Sequence, residues 1–170
     1  MFTIEKASKL LEVVYLEYPS LQDEEILIKL GNEFSVMIDM LGSVITIENS
    51  LDRQSKFYKY IKDYLKTEFN LDSNKLMFYD YLECFSFLHE VGHVYYQDMQ
   101  SDSIVYKNFR NKVHASYKDA FLEYRQISGE KLADSFAATM LNNRLAEIWA
   151  IMQDTTIEKA KEEILFWSEI

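Results

Sequence analysis

Two histidines and a glutamate stand at a spacing that suits metal chemistry. His89 and His93 are four residues apart, and Glu90 directly follows the first of them. On a helix, residues at i and i+4 lie on one face, so both imidazoles can reach one metal ion. Glu90 lies about 100° further round the helix, where its carboxylate can take a proton from a water at the metal's open position. In a chain of this length and composition, the pattern His-Glu-x-x-His is expected by chance only about 0.005 times.

A catalytic zinc site needs a third protein ligand, and Glu130 is the best candidate. Zinc is the expected metal because it lowers the pKa of a bound water from about 15.7 to about 7. Glu130 and Asp134 share one predicted helical face, where Glu130 can ligate the metal and Asp134 can accept the outer N–H of a histidine ligand. The alternative interpretation is an acidic first turn that stabilises the start of a helix. His114 is the other candidate for the third ligand.

Several residues are candidates for the donor that would stabilise the oxyanion of a transition state. Such a donor must point at the oxygen on which negative charge develops. His114 is one candidate, because an imidazole can donate a hydrogen bond. Tyrosines supply the others: Tyr95, Tyr96, Tyr117 and Tyr124.

The helix that carries the two histidines is expected to pack closely in the core. Gly92 in a helix interior costs about 0.5–1 kcal/mol relative to alanine, which indicates a close approach of another backbone. Two small residues, Ala133 and Ala137, lie on the same predicted helical face as Glu130. They predict that this second helix lies close against the first. Cys84 is predicted to be a buried core residue rather than a ligand. A core helix that carries two histidines by chance would leave a buried carboxylate without a partner.

Only one region of the chain alternates in the way that strands do. Apolar and polar residues alternate over residues 34–39 and again over 44–48. Gly42 suits the left-handed position of a three-residue loop, so we predict a two-stranded antiparallel hairpin. Residues 20–30 are ambiguous, although Asp23 and the two glutamates after it could open a short helix.

The rest of the chain has helical periodicity. Predicted helices cover about residues 3–18, the stretch from 51 to a breaker at 70–74, residues 75–99, a region up to 126, and residues 129–153. Ser128 is the predicted N-cap of the last of these. Thr155 and Glu158 predict a capping box for a final helix. The pattern as a whole predicts a helix-rich α+β domain.

Composition and charge exclude several classes of protein. A length of 170 residues fits a single domain over residues 1–170. A net charge of -10 without a basic stripe disfavours nucleic acid and anionic membranes as partners. One cysteine excludes an internal disulfide, and neither a signal peptide nor a spanning segment is evident. We therefore expect a cytoplasmic protein.

Two motifs resemble those of the ImmA/IrrE metallopeptidases, gluzincin-type enzymes of bacteria, phages and mobile elements. They are His-Glu-Val-Gly-His at residues 89–93 and Glu-x-x-Ala-Asp-x-Phe-Ala-Ala at residues 130–138. The resemblance implies a zincin-like domain with a small antiparallel β-sheet beside the active-site helix. In such folds a substrate binds as an added strand at the sheet edge.

The resemblance also implies a role for each residue of the two motifs. His89, His93 and Glu130 would bind Zn²⁺, Glu90 would be the catalytic base, and Asp134 would hold a histidine ligand in place. The implied activity is that of a zinc-dependent endopeptidase. Its implied substrate is a protein, such as a basic helix-turn-helix repressor of a phage or mobile element.

Two other functions fit the same sequence. The first is an acidic protein-binding or inhibitory module with a structural or vestigial metal site. The presence of Glu90 argues against it, because a structural site has no use for a base. The second is a metal hydrolase that acts on something other than a peptide.

Overall fold

The computed structural model describes residues 1–39, 42–48, 56–71, 81–97 and 103–168. Parts of four sequence predictions lie outside these residues. They are the tip of the hairpin, the start of the helix predicted from residue 51, most of the breaker before the histidine helix, and both ends of the predicted helix over residues 75–99.

Helices make up most of the described chain. The α-helices are α1 (Ile4–Glu17), α2 (Lys56–Phe69), α3 (Tyr81–Tyr96), α4 (Ser103–Asn111), α5 (Tyr117–Arg125), α6 (Ser128–Asn143), α7 (Leu145–Met152) and α8 (Ile157–Ser168). The strands are β1 (Ile26–Gly31), β2 (Ser35–Asp39) and β3 (Gly42–Glu48), and a 3-10 helix covers Pro19–Asp23. The predicted helix-rich α+β class is confirmed.

The three strands form one mixed sheet in the order β1-β3-β2. β2 and β3 are antiparallel, as predicted, but β1 runs parallel to β3 on its other side. The expectation of a purely antiparallel sheet is therefore wrong, and the ambiguous residues 20–30 end the 3-10 helix and form most of β1 instead of a helix that opens at Asp23. The physical reason lies in β3, where Ile45 and Ile47 are fully buried. Ile26 and Ile28 of β1 pack against the same core, and their apolar run is too short for its periodicity to distinguish a strand from a helix.

Gly42 has the backbone conformation that the sequence predicts, at a different place. Its φ is +137°, a value that side chains other than hydrogen rarely allow. It is the first residue of β3 and pairs with Asp39, so the predicted position inside a three-residue loop is wrong. A Cβ at this position would lie 2.7 Å from the carbonyl oxygen of Glu25. That oxygen accepts a 2.7 Å hydrogen bond from the N–H of Ser43, which joins the start of β3 to the residue before β1.

The predicted helix over residues 129–153 is divided into two. Arg144 leaves the helical conformation, with φ of −123° and ψ of 28°, and separates α6 from α7. Its guanidinium forms ion pairs with Glu17 of α1 and Glu147 of α7, which fix the bend. The N-cap of α6 is Ile127 rather than Ser128, because the Ile127 carbonyl already accepts the first helical hydrogen bond.

The cap of the last helix differs from the prediction by one residue. The hydroxyl of Thr156, rather than that of Thr155, accepts a hydrogen bond from the N–H of Lys159, at 3.2 Å. At the other end of the chain, the side chain of Thr3 caps α1 in the same way, so the first predicted helix is confirmed. No helix in the described ranges is long and apolar enough to cross a membrane.

Helices α3 and α6 form the most extensive helix pair of the core. Gly92 of α3 lies against the backbone of α6, where a Cβ would come within 2.9 Å of the Ala133 Cα. Both helices are buried along the contact, and Cys84 is fully buried as predicted. The close approach that the glycine and the small residues of α6 predict is therefore confirmed.

We expect Gly92→Val to destabilise the fold by about 2 kcal/mol, because an added isopropyl group, whose Cβ alone would lie 2.9 Å from the Ala133 Cα, overpacks a backbone contact that cannot give way. Urea unfolding followed by circular dichroism measures the change. Thr139→Val, at an exposed position of α6, is the matched control and should change stability by less than about 0.5 kcal/mol. Equal effects of the two substitutions would contradict the close approach.

Candidate metal centre

Three side chains from α3 and α6 meet at one point. The two Nε2 atoms of His89 and His93 are 3.1 Å apart. The Glu130 carboxylate completes the triangle, with Oε2 at 3.3 Å from Nε2 of His89 and Oε1 at 3.5 Å from Nε2 of His93. Ligands at about 2.0–2.1 Å from a tetrahedral zinc are about 3.3 Å from one another. The observed separations match that value, so this buried cluster could hold one metal ion.

Asp134 fixes the orientation of one ligand. The Nδ1–H of His89 donates to Oδ1 of Asp134 at 2.8 Å, which directs Nε2 toward the other two ligands. Asp134 lies one helical turn after Glu130 on α6 and is fully buried. The contact that the sequence predicts between this carboxylate and a histidine is thus present. It sets the tautomer that metal binding requires.

Arg125, at the end of α5, balances the negative charge of the cluster. Its Nη1 donates to the same Asp134 oxygen at 2.8 Å and lies 3.8 Å from Oε2 of Glu130. The arginine is itself buried. Two buried carboxylates need cationic partners, and this guanidinium supplies one of them. Sequence reasoning missed it because a basic residue in the last turn of a helix usually interacts with the helix dipole.

Two tyrosines donate to the carboxylate ligand. The hydroxyl groups of Tyr106 and Tyr124 both donate to Oε1 of Glu130, at 2.7 and 2.8 Å. Tyr124 is among the donors that the sequence suggests, whereas Tyr106 of α4 was missed, because nothing in its local pattern links it to α6. With both donors on Oε1, the other oxygen, Oε2, is directed toward His89. The pair therefore holds the carboxylate in a fixed rotamer.

His114 lies away from this cluster. Its Nε2 contacts the carbonyl oxygen of Phe109 at 3.2 Å, and its Nδ1 lies 3.4 Å from a carboxylate oxygen of Glu123. Within the described residues, His114 belongs neither to the metal-ligand group nor to the cavity wall. The structure therefore does not bring this histidine to the positions that a third ligand or an oxyanion donor would occupy.

A cavity of about 390 Å³ opens over the cluster of candidate ligands formed by His89, His93 and Glu130. Its floor carries the ligands together with Glu90, whose side chain is otherwise buried. Two walls rise from it, one from the start of β2 and one from α4 and α5. The wall residues are Phe34, Ser35, Val36, Tyr106, Phe109, Arg110 and Tyr124. Glu90 and the three candidate ligands thus line one cavity.

Burial and charge shift the pKa values of the site in different directions. Burial lowers the pKa of His89, but its hydrogen bonds with Asp134 and Glu130 outweigh that effect and raise the pKa to about 10. Burial raises the pKa of Glu130, but the hydrogen bonds from the two histidines hold it well below its ordinary value. For Glu90, burial is the main cause and raises the pKa. Without metal, the site therefore holds a protonated His89 beside an ionised Glu130.

Comparisons of the chain with models of protein families, with curated proteins and with solved structures gave no match. The resemblance to a peptidase family therefore depends on the motifs at residues 89–93 and 130–138. The interpretation of the site depends on its own donor atoms and their geometry.

We expect Asp134→Asn to weaken zinc binding by about 10- to 100-fold, because loss of the carboxylate frees the His89 ring to rotate and to change tautomer. Competition with a chromophoric chelator measures the affinity. Asp63→Asn, which makes the same chemical change at an exposed position of α2, should bind zinc as the wild type does. If both variants bind zinc equally well, Asp134 does not support the ligand.

We expect zinc binding to release about one proton at pH 8, because His89 must lose the proton that its raised pKa of about 10 retains. The apparent affinity for zinc should accordingly rise with pH up to that value. Calorimetric titrations in buffers of different ionisation enthalpy count the protons released. A binding heat that does not depend on the buffer would contradict a protonated His89.

Proposed function

We propose that the protein is a zinc-dependent endopeptidase with a zincin-like fold. His89, His93 and Glu130 would hold the metal, and Glu90 would be the general base. The observation that carries the proposal is the position of Glu90. This carboxylate lines the same cavity as the three converging metal ligands, and a base that acts on a water between metal and substrate must have access to such a cavity.

The residues present fit a zinc ion. They offer two imidazole nitrogens and one carboxylate, a donor set that zinc commonly takes in catalytic sites. Asp134 holds the His89 ring, and two tyrosines hold the carboxylate of Glu130, so the donors are already in place. A zinc ion bound here would lower the pKa of a water and polarise the carbonyl of the scissile bond.

Glu90 can supply both of the proton transfers that peptide hydrolysis requires. It would accept a proton from the attacking water and pass it to the nitrogen of the leaving amine. Burial raises the pKa of this carboxyl group, which makes it a stronger base than an exposed glutamate. The same raised pKa lets Glu90 hold the transferred proton until the more basic leaving amine accepts it.

The number of protein ligands supports catalysis over a purely structural metal. Structural zinc sites are closed by four side chains, whereas catalytic sites use three and leave a position open. Among the described residues, the group that could hold a metal consists of three side chains. All three line the cavity, which gives space beside the group for a water or a substrate. Cys84, on the same helix as the histidines, is buried in the core and is not part of the group.

The sheet supports an extended substrate. β2 is an edge strand, paired with β3 on one side. Ser35 and Val36 at its start, and Phe34 just before it, line the same cavity as the ligands. A peptide that added to this edge would run past Glu90, and backbone hydrogen bonds would hold it without regard to its sequence. This arrangement favours cleavage within a chain.

The substrate would be a protein of the same compartment, which we take to be the cytoplasm. The family resemblance suggests a helix-turn-helix repressor of a phage or mobile element. DNA-binding repressors are often basic, and a net charge of -10 on the enzyme favours association with a basic partner. Such a repressor would be a separate protein.

We expect Glu90→Gln to bind zinc with near wild-type affinity and to lose at least about 99% of peptide cleavage, because the amide keeps the shape of the side chain and removes the base. The zinc-loaded proteins are incubated with a proteome-derived peptide library whose N-termini are blocked, and mass spectrometry counts new N-termini.

Glu162→Gln, at an exposed position of α8, controls for the loss of a carboxylate and should cleave as the wild type does. Cleavage retained by Glu90→Gln would contradict the mechanism. No cleavage by any of the three proteins, with zinc bound, would instead favour the acidic binding module.

A further inference from the structure

One helix supplies most of the cavity wall opposite the sheet. Tyr106, Phe109 and Arg110 of α4 all line the cavity. They stand at positions i, i+3 and i+4, so they form a single face of the helix. Tyr106 reaches down to Glu130 on the floor, whereas Arg110 is exposed to solvent one turn later. The face therefore extends from the buried carboxylate of Glu130 to a guanidinium that is exposed to solvent.

Arg110 brings positive charge to a cavity whose other permanent charges are negative. The floor carries the carboxyl groups of Glu90 and Glu130. No other lysine or arginine lines the cavity in the described part of the chain. Lys112, two residues further on, is held by the carboxylate of Glu123 at 2.7 Å. Arg110, by contrast, forms no ion pair with any residue that the structure describes.

We propose that Arg110 binds a carboxylate of the substrate, so that the enzyme cleaves next to an acidic group. The inference rests on the proposed peptidase function and deepens it. A guanidinium offers a planar fork of N–H donors that matches the two oxygens of a carboxylate. Phe34, Val36 and Phe109 line the same cavity and offer apolar surface to a neighbouring side chain. The substrate class is therefore a peptide with an acidic group and an apolar residue close to the scissile bond.

The acidic surface of the protein does not prevent this selection. Charges separated by more than the Debye length, about 8 Å at physiological ionic strength, are largely screened. The net charge acts on the approach of a whole partner protein, whereas Arg110 acts on the group that lies against it. A basic protein with an acidic residue at the cleavage site satisfies both conditions.

Two kinds of carboxylate could meet this guanidinium. One is the side chain of an aspartate or glutamate inside a chain, and the other is the α-carboxylate at a chain end. Both offer the same pair of oxygens. The open edge of β2 favours the first, because a strand added there can continue past the cavity in both directions.

The test uses the zinc-loaded full-length protein and pools of internally quenched octapeptides. Each pool fixes one position as Asp, Asn or Lys and mixes Ala, Leu, Phe and Ser at the others, with both termini capped. A further pair of pools contains no charged side chain and ends in either a free carboxylate or an amide. Arg110→Gln and Arg110→Glu are compared with Lys107→Gln and Lys107→Glu. Lys107 is exposed on the same helix and does not line the cavity.

We expect wild type to cleave the Asp pool about tenfold faster, in kcat/KM, than the Asn pool. Arg110→Gln should remove that preference, and Arg110→Glu should shift it toward the Lys pool. Both lysine variants should keep it. Preference for the free carboxylate over the amide, lost in Arg110→Gln, would assign the contact to a chain end instead of a side chain.

Equal Asp-to-Asn ratios in wild type and Arg110→Gln, with cleavage intact, would overturn the inference and leave the peptidase function standing. A second measurement further distinguishes the carboxylate contact of Arg110 from the peptidase function. Fluorescence anisotropy measures the binding of labelled Asp and Asn peptides to zinc-loaded Glu90→Gln, with and without Arg110→Gln. A preference in binding without cleavage by wild type would overturn the peptidase function and keep the carboxylate contact. If wild type cleaves no peptide and zinc-loaded Glu90→Gln shows no preference in binding, the peptidase function and the carboxylate contact are both overturned.

Discussion

The contact between α3 and α6 determines where the three candidate metal ligands lie. Gly92 allows the two helix backbones to meet at Ala133, because a side chain there would overlap the second helix. The ligands His89 and His93 flank this glycine on α3, and Glu130 stands one turn before the alanine on α6. Across this contact the Glu130 carboxylate comes within 3.3 and 3.5 Å of the Nε2 atoms of His89 and His93. The packing of the core and the geometry of the site are therefore one constraint.

Charge balance is the second condition on which the site depends. Three carboxyl groups, one guanidinium and two imidazoles are buried together. An unpaired buried charge among them would cost several kcal/mol. Arg125 and His89 share one oxygen of Asp134, and the two histidines face Glu130. The cluster is thus compensated before any metal enters. A divalent cation that replaces a proton here adds positive charge where the floor already carries two carboxyl groups.

The sequence predicted what is local and missed what is distant. The spacing of His89 and His93 and the small face around Glu130 are periodic within single helices, so the chemistry and the close packing follow from them. The parallel strand β1 was missed because its pairing with β3 leaves no local signal. Arg125 and Tyr106 were missed for the same reason, since each reaches the site from another element. The break at Arg144 depends on tertiary ion pairs with α1 and α7.

The order of the strands in the sheet also has a consequence for how the protein folds. β2 and β3 are adjacent in sequence and pair directly, whereas β1 pairs only with β3, which lies further along the chain. Local pairings close at a lower entropic cost than distant ones, so the hairpin is the natural nucleus of the sheet. The strand that lines the cavity, β2, therefore belongs to the most local pairing of the sheet. The other edge strand, β1, depends on a pairing across a longer stretch of chain and contributes no residue to the cavity wall.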